Sequence, residues 1–242
     1  MKKLMIFSLI TFISGSLLSQ EAGSDRYFSM EKVDEKNYVI NIWDIPSSAE
    51  GPHFVNGKIY WNKGDWDSAI KEFTEAIRLN PNYSIAYNER GNSYYCKGEW
   101  ELAIADFTEA TRIDPNNSIF FYNLGFVNEK KREWELAIIN YSEAIRLNPN
   151  YTKAYRRRGN IYYNRYSYEK SIADFTEVIR LDPNNADVYN SRGVSYYCNG
   201  NWELANADYT EAIRLAPDNT VYYNNREKLY AYLKTLPEFN DN

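Results

Sequence analysis

The chain has 242 residues, 44% hydrophobic and 25% charged, the proportions of an ordinary soluble folded domain rather than of a disordered one. Its 28 Lys and Arg against 33 Asp and Glu give a formal charge of −5, which argues against nucleic acid as a partner, since that calls for a basic face. A single histidine, two cysteines and the absence of a GxxxxGK loop leave no metal-ligand spacing and no phosphate cradle.

Residues 1–19 differ from the rest. Lys2 and Lys3 precede an apolar run from Leu4 to Ile13, followed by Ser14, Gly15 and Ser16. A positive start, a short apolar core and small residues read as a secretory signal peptide, cut after Ser16 or Ser19. The run ends near Leu18, short of the ~20 residues that span a bilayer. The expected location is the periplasm or cell envelope of a bacterium, with the membrane met only transiently through the signal peptide. An uncleaved N-terminal anchor is the alternative.

Residues 20–49 form an N-terminal segment expected to be partly disordered. Glu21 to Lys36 is polar and reads as loosely ordered. Tyr38 to Trp43 is apolar and suited to packing on the region C-terminal to it, and Pro46-Ser47-Ser48 marks a boundary.

A fixed period then takes over. Pro81, Pro115, Pro149, Pro183 and Pro217 are each 34 residues apart, preceded by EAIRLNP, EATRIDP, EAIRLNP, EVIRLDP and EAIRLAP. Such a period signals a solenoid of one repeated supersecondary unit. Counting back from each proline gives five units, 50–83, 84–117, 118–151, 152–185 and 186–219, together 170 residues.

Each unit carries two helical patterns. In unit two, Trp100, Ala103, Ile104, Phe107, Ala110 and Ile113 share one helix face, with Asp106, Glu109 and Arg112 on the other. Asp114-Pro115-Asn116-Asn117 stops this helix. The helix before it, Ala86 to Cys96, ends in Lys97-Gly98, where glycine supplies a left-handed cap. Gly57, Gly91, Gly125, Gly159 and Gly193 sit inside the first helices at a cost of ~1 kcal/mol each relative to alanine. Close helix approach is the expected return. It would come against Ala69, Ala103, Ala137, Ser171 and Ala205, with Phe73, Phe107, Tyr141, Phe175 and Tyr209 filling the space beside them. After the array, Thr220 to Leu236 reads as a further helix with Glu227 where glycine would stand. Residues 220–242 thus form a cap over unit five and a tail after Pro237.

These residues resemble the tetratricopeptide repeat family. Gly91, Tyr94, Ala103, Phe107, Ala110 and Pro115 of unit two reproduce its pattern in full, and the glycine and proline recur in all five units. Departures are Asn128 at an aromatic place, Ser171 and Val178 at alanine places, and Arg132 and Tyr166 where other units have Gly64, Gly98 and Gly200. The resemblance implies an all-α fold, a right-handed α-solenoid of helix-turn-helix repeats with a C-terminal capping helix. It also implies a monomeric, non-enzymatic scaffold that holds a protein or peptide in a groove lined by the first helices, without cofactor or metal.

By the same resemblance the groove of unit three is lined by Ile119, Tyr122, Asn123, Phe126, Glu129 and Lys130. Members that bind acidic C-terminal tails of heat-shock chaperones grip the terminal carboxylates in a clamp. Its places here hold Asn88, Asn92, Asn123, Lys153 and Arg157, with Asn88 where a lysine would stand. Arg156, Asn160, Tyr95, Tyr163 and Tyr197 complete the expected peptide-binding set. The alternative is carbohydrate or cell-wall binding, with Tyr95, Tyr163 and Tyr197 stacking on sugar rings and asparagines bonding hydroxyls.

No catalytic group stands out. His53 is expected to be a solvated turn residue, and Glu75, Glu109, Glu143, Glu177 and Glu211, recurring with the period, a solvated helix face. Cys96 and Cys198 lie three units apart. A disulfide needs Cα atoms within about 7 Å, so both read as free thiols.

Overall fold

The computed structural model describes residues 28–32, 38–42 and 48–236. The expected signal segment and the tail from Pro237 lie outside these. The chain divides into two compact units, Met1–Ile45 and Pro46–Asn242.

The first contains strands β1 (Phe28–Lys32) and β2 (Tyr38–Ile42), paired antiparallel with Phe28 opposite Ile42 and Lys32 opposite Tyr38. Within Glu21–Lys36, which read as polar and loosely ordered, Phe28–Lys32 forms a strand. Its partner is the apolar run Tyr38–Ile42, whose aromatic and β-branched residues favour strand.

The second unit is all helical. It runs α1 (Gly51–Asn62), α2 (Trp66–Leu79), α3 (Ser84–Lys97), α4 (Trp100–Ile113), α5 (Ser118–Lys130), α6 (Trp134–Leu147), α7 (Thr152–Asn164), α8 (Tyr168–Leu181), α9 (Ala186–Cys198), α10 (Trp202–Leu215) and α11 (Thr220–Leu233). Helices pack in sequential pairs, and each second helix packs on the first helix of the next unit. This neighbour-only packing is the α-solenoid that the period implies.

The turns inside units show why the period tolerates substitution. Gly64, Gly98 and Gly200 take φ of 76°, 80° and 79°, as left-handed caps require. Arg132 and Tyr166 adopt φ of 63° and 59° at the same places, at a cost of roughly 1–2 kcal/mol each. The backbone route is therefore imposed by the packing of the helices on either side.

The glycines inside first helices answer to close approach. A Cβ at Gly57 would lie 2.5 Å from the Phe73 ring, and one at Gly125 2.9 Å from Tyr141. Glu227 fills the equivalent place in α11, where no second helix follows among the described residues. Tyr222 and Leu229 of α11 are buried, Leu229 against Ala205 and Tyr209, so this helix closes the apolar side of unit five.

Asp106 departs from the sequence reading, which put it on a solvated face. It is 6% exposed and bonds Arg90 through both oxygens, at 2.8 Å to Nε and 2.7 Å to Nη2. Arg90 Nη1 also donates to Thr74 of the preceding unit, 3.0 Å away. The same three-way clasp recurs at Arg158, with Asp174 and Ser142, and at Arg192, with Asp208 and Thr176. Each ties one unit to the one before it. Burial raises the pKa of all three aspartates, with the arginines opposing that shift. The recurring glutamates do face solvent, each bonded to the arginine three residues on, as in Glu75–Arg78 and Glu143–Arg146.

Candidate functional site on the first-helix face

Helix α7 sets Lys153, Arg156, Arg157 and Asn160 at i, i+3, i+4 and i+7, one face of a helix. Lys153, Arg156 and Asn160 are exposed, and among the described residues neither Lys153 nor Arg156 makes an ion pair. Arg157 is half-buried and held on three sides. Its Nε donates to Tyr122 Oη at 3.0 Å, and its Nη1 to Glu129 Oε1 and Oε2 at 3.1 and 3.3 Å. Its guanidinium carbon lies 4.2 Å from the centroid of the Phe126 ring. Nη2 makes no hydrogen bond among the described residues. Burial acts to depress the Arg157 pKa, but the Tyr122 hydroxyl and Glu129 outweigh it and raise the value.

Glu129 is itself anchored from below. Its Oε2 accepts a 2.6 Å bond from the hydroxyl of Tyr141, a fully buried residue. Burial, then the bond to Glu129, pushes the Tyr141 phenol well above its ordinary pKa. Phe126 also meets Tyr95, at 5.1 Å between centroids, and the ammonium of Lys130 at 5.3 Å. Tyr122, Phe126 and Glu129 thus form the centre of this face. The sequence places them on it without singling them out. The usable signal was spacing: Tyr122 and Arg157 are 35 apart, like the bonded pairs Asn88–Asn123 and Asn190–Asn225.

The asparagines behave differently from the clamp expectation. Asn123 donates to Asn88 Oδ1 at 2.8 Å, and Asn88 is only 4% exposed. Asn88 therefore joins two units and does not face a ligand. Asn92 is half-buried one helical turn further along α3. Tyr95, Tyr163 and Tyr197 are half-buried, each leaning on another ring: Phe126, Tyr168 and Tyr232. Burial, then the neighbouring Cys198, pushes the Tyr163 phenol pKa up to about 12. Nothing in this arrangement favours stacking on a sugar.

His53 is not a solvated turn residue. It lies within α1, half-buried, with Nδ1 2.7 Å from Glu72 Oε2. Asn56 replaces the clasp arginine of later units, and His53, one turn earlier, meets the carboxylate instead. Cys96 and Cys198 are free and exposed. Among the described residues no group of His, Cys, Asp and Glu has the arrangement to hold a metal ion, and no helix is long and apolar enough to cross a membrane.

Comparison with known proteins bears on this geometry. Models described as tetratricopeptide repeat match residues 54–118 and 186–219, and one described as TPR repeat matches 130–165 and 159–200. No curated protein matches the chain. Among solved structures, MamA protein is 25% identical over 72% of this chain and 94% of its own, with a TM-score of 0.65. YrrB, titled a TPR protein with an unusual peptide-binding site, is 27% identical over 73% of this chain and 91% of its own, TM-score 0.64. A tetratricopeptide repeat protein from Parabacteroides merdae is 20% identical over 75% and 72%, TM-score 0.66, a likeness of fold. Five in-phase units, their helix pairing and these matches together establish that the chain belongs to the tetratricopeptide repeat family.

Proposed function

We propose that the first-helix face of units three and four binds a protein segment through a carboxylate, such as an acidic C-terminus. The repeat fold supports an interaction scaffold in general, and one similar structure carries a peptide-binding site in its title. The narrower reading rests on one observation. On a chain of net charge −5, this face carries Lys130, Lys153, Arg156 and Arg157, of which among the described residues only Arg157 is ion-paired, with Glu129, and it leaves an open N–H edge on Arg157.

Charge-assisted hydrogen bonds to these cations contribute roughly 1.5–3 kcal/mol each where water is partly excluded. Binding weakens with salt, because exposed charges are screened over ~8 Å at physiological ionic strength. The test is a library of random octapeptides with free C-termini, presented to the whole protein beside its C-terminally amidated counterpart. Wild type should select carboxylate-ended members. Lys153→Ala with Arg156→Ala should weaken them at least ~10-fold with melting nearly unchanged, since two exposed side chains leave the core intact. Selection indifferent to amidation, or surviving the double substitution, would overturn the reading.

On the same proposal the scaffold works outside the cytoplasm, as the Lys2-Lys3 start and the apolar run suggest. N-terminal sequencing of the native protein should begin after Ser16 or Ser19, and an intact Met1 in a cytosolic fraction would refute export.

A further inference from the structure

We infer that Glu129 is a specificity-determining residue of this face, limiting it to segments that bring one carboxylate beside an apolar side chain and turning away runs of acids. The inference rests on the carboxylate-binding reading above, and goes beyond it by naming the ligand class and the residue that selects it.

Glu129 is not free to leave. The hydroxyl of Tyr141 is buried, and Glu129 is its acceptor at 2.6 Å. Moving the carboxylate away would leave a buried donor unmade, which is costly. Of the equivalent rings, Phe73, Phe107 and Phe175 carry no hydroxyl, and Tyr209 of unit five has Tyr197 rather than a glutamate at the place of Glu129. The Tyr141–Glu129 bond is therefore particular to unit three.

Arg157 is held as firmly. Nη1 is shared between both oxygens of Glu129, Nε is bound to Tyr122, and one face of the guanidinium lies over Phe126. Its plane is fixed and its charge is offset on the spot. What remains for a ligand is the directional N–H edge of Nη2, not an open positive charge.

This geometry constrains the ligand in two ways. A single carboxylate can bond Nη2 without displacing Glu129. A second anionic group beside the first meets the Glu129 carboxylate, whose ion-pair partner among the described residues, Arg157, is already engaged, and is repelled. Phe126 and Tyr95, 5.1 Å apart, offer an apolar surface where that second group would sit. The segment that fits ends in one carboxylate with an apolar or aromatic neighbour. Further acids are tolerated only where the exposed Lys130, Lys153 or Arg156 meets them.

The experiment applies the octapeptide library to wild type and to Glu129→Gln, which keeps an oxygen for the Tyr141 hydroxyl but removes the charge. Wild type should select an apolar residue next to the terminal carboxylate. Glu129→Gln should shift selection toward an acid at that place. Peptides ending in two acids should gain roughly 5- to 10-fold relative to apolar-neighbour peptides, as expected of one charge at short range. The pair Glu129→Gln with Tyr141→Phe keeps the test valid if the single variant melts early, because it removes the buried hydroxyl along with the charge. Identical selection by wild type and both variants, from a library in which wild type does choose free carboxylates, would overturn the role of Glu129 alone. If wild type chooses no free carboxylates, the reading of the whole face falls with it.

Discussion

In units two, four and five an arginine of the first helix reaches a buried aspartate of its own second helix and a hydroxyl of the unit before. In unit three the equivalent pair is Leu124 and Asn140, and Asn140 turns its amide to the Leu136 carbonyl instead. Unit three places its unusual polar groups on the opposite side, where Tyr141 and Glu129 meet Arg157. The contrast separates two uses of polar side chains. Those that recur with the period bind the array together. Of those that break it, Tyr141, Glu129 and Arg157 meet at one place on the first-helix face, while His53 with Glu72 and Ser171 with Ser195 lie elsewhere.

The largest expected effect tests the clasp. Asp174→Ala leaves Arg158, only 17% exposed, without its carboxylate. Breaking one side of a buried pair costs about 3–5 kcal/mol, read as a fall in the denaturation midpoint. Arg158→Leu with Asp174→Asn copies the arrangement of unit three and should recover most of that loss, because an apolar replacement leaves no charge unpaired. A double variant as unstable as the single would mean that unit three survives for a reason other than the Leu–Asn exchange.

The period, the helix pairs and the cap were legible because they rest on residues with strong local consequences: proline, glycine, and apolar residues on one helix face. The clasp was not legible, although Arg90, Arg158 and Arg192 recur at 34-residue multiples. Asp106 lies on the buried face of α4 with Ala103, Phe107 and Ala110, but its charge pointed to solvent, and the partner that satisfies it there, Arg90, comes from the neighbouring helix. The centre of the first-helix face was half legible. Lys153 and Arg157 follow from the family resemblance, with helical spacing putting them on one face, but the bond from Tyr141 to Glu129 spans two helices and has no local signal. The β1–β2 pairing was not legible because β1 lies in the polar stretch Glu21–Lys36, while the apolar residues 38–42 signal burial without naming a strand partner.

The next effect compares glycines across the two kinds of unit. A Cβ at Gly125 would meet the Tyr141 ring at 2.9 Å, and one at Gly159 the Asp174 Cβ and Phe175 ring at 3.2 Å. Tyr141 is tethered through its hydroxyl and cannot tilt away, whereas Phe175 has no such bond. Alanine gains ~1 kcal/mol of helix propensity at either site, against an overpacking cost of about 1–3 kcal/mol. Gly125→Ala should therefore destabilise, and Gly159→Ala should be close to neutral. Equal melting of the two variants would show that the tether on Tyr141 does not stiffen the ring.

The smallest effect concerns the solvent ladder, where unit three should be no exception. Glu109 and Glu143 each accept hydrogen bonds from the arginine three residues on, and that bonding holds both carboxyls below their ordinary pKa. A depressed folded pKa contributes stability that is fully present above the unfolded value, near 4.5, and is lost as pH falls through the folded value. The clasp aspartates, raised by burial, run the other way, so wild-type melting alone mixes the two signs. A difference removes them. The melting temperature of wild type minus that of Glu109→Gln should be small at pH 7 and shrink toward zero below about pH 4. Glu143→Gln should trace the same curve, because Arg112 and Arg146 are 64% and 65% exposed and their partners sit in equivalent places. A larger or differently shaped difference at Glu143 would mean that unit three departs from its neighbours on the solvent side as well. The division between a periodic scaffold and a single aperiodic site would then have to be redrawn around the whole of that unit.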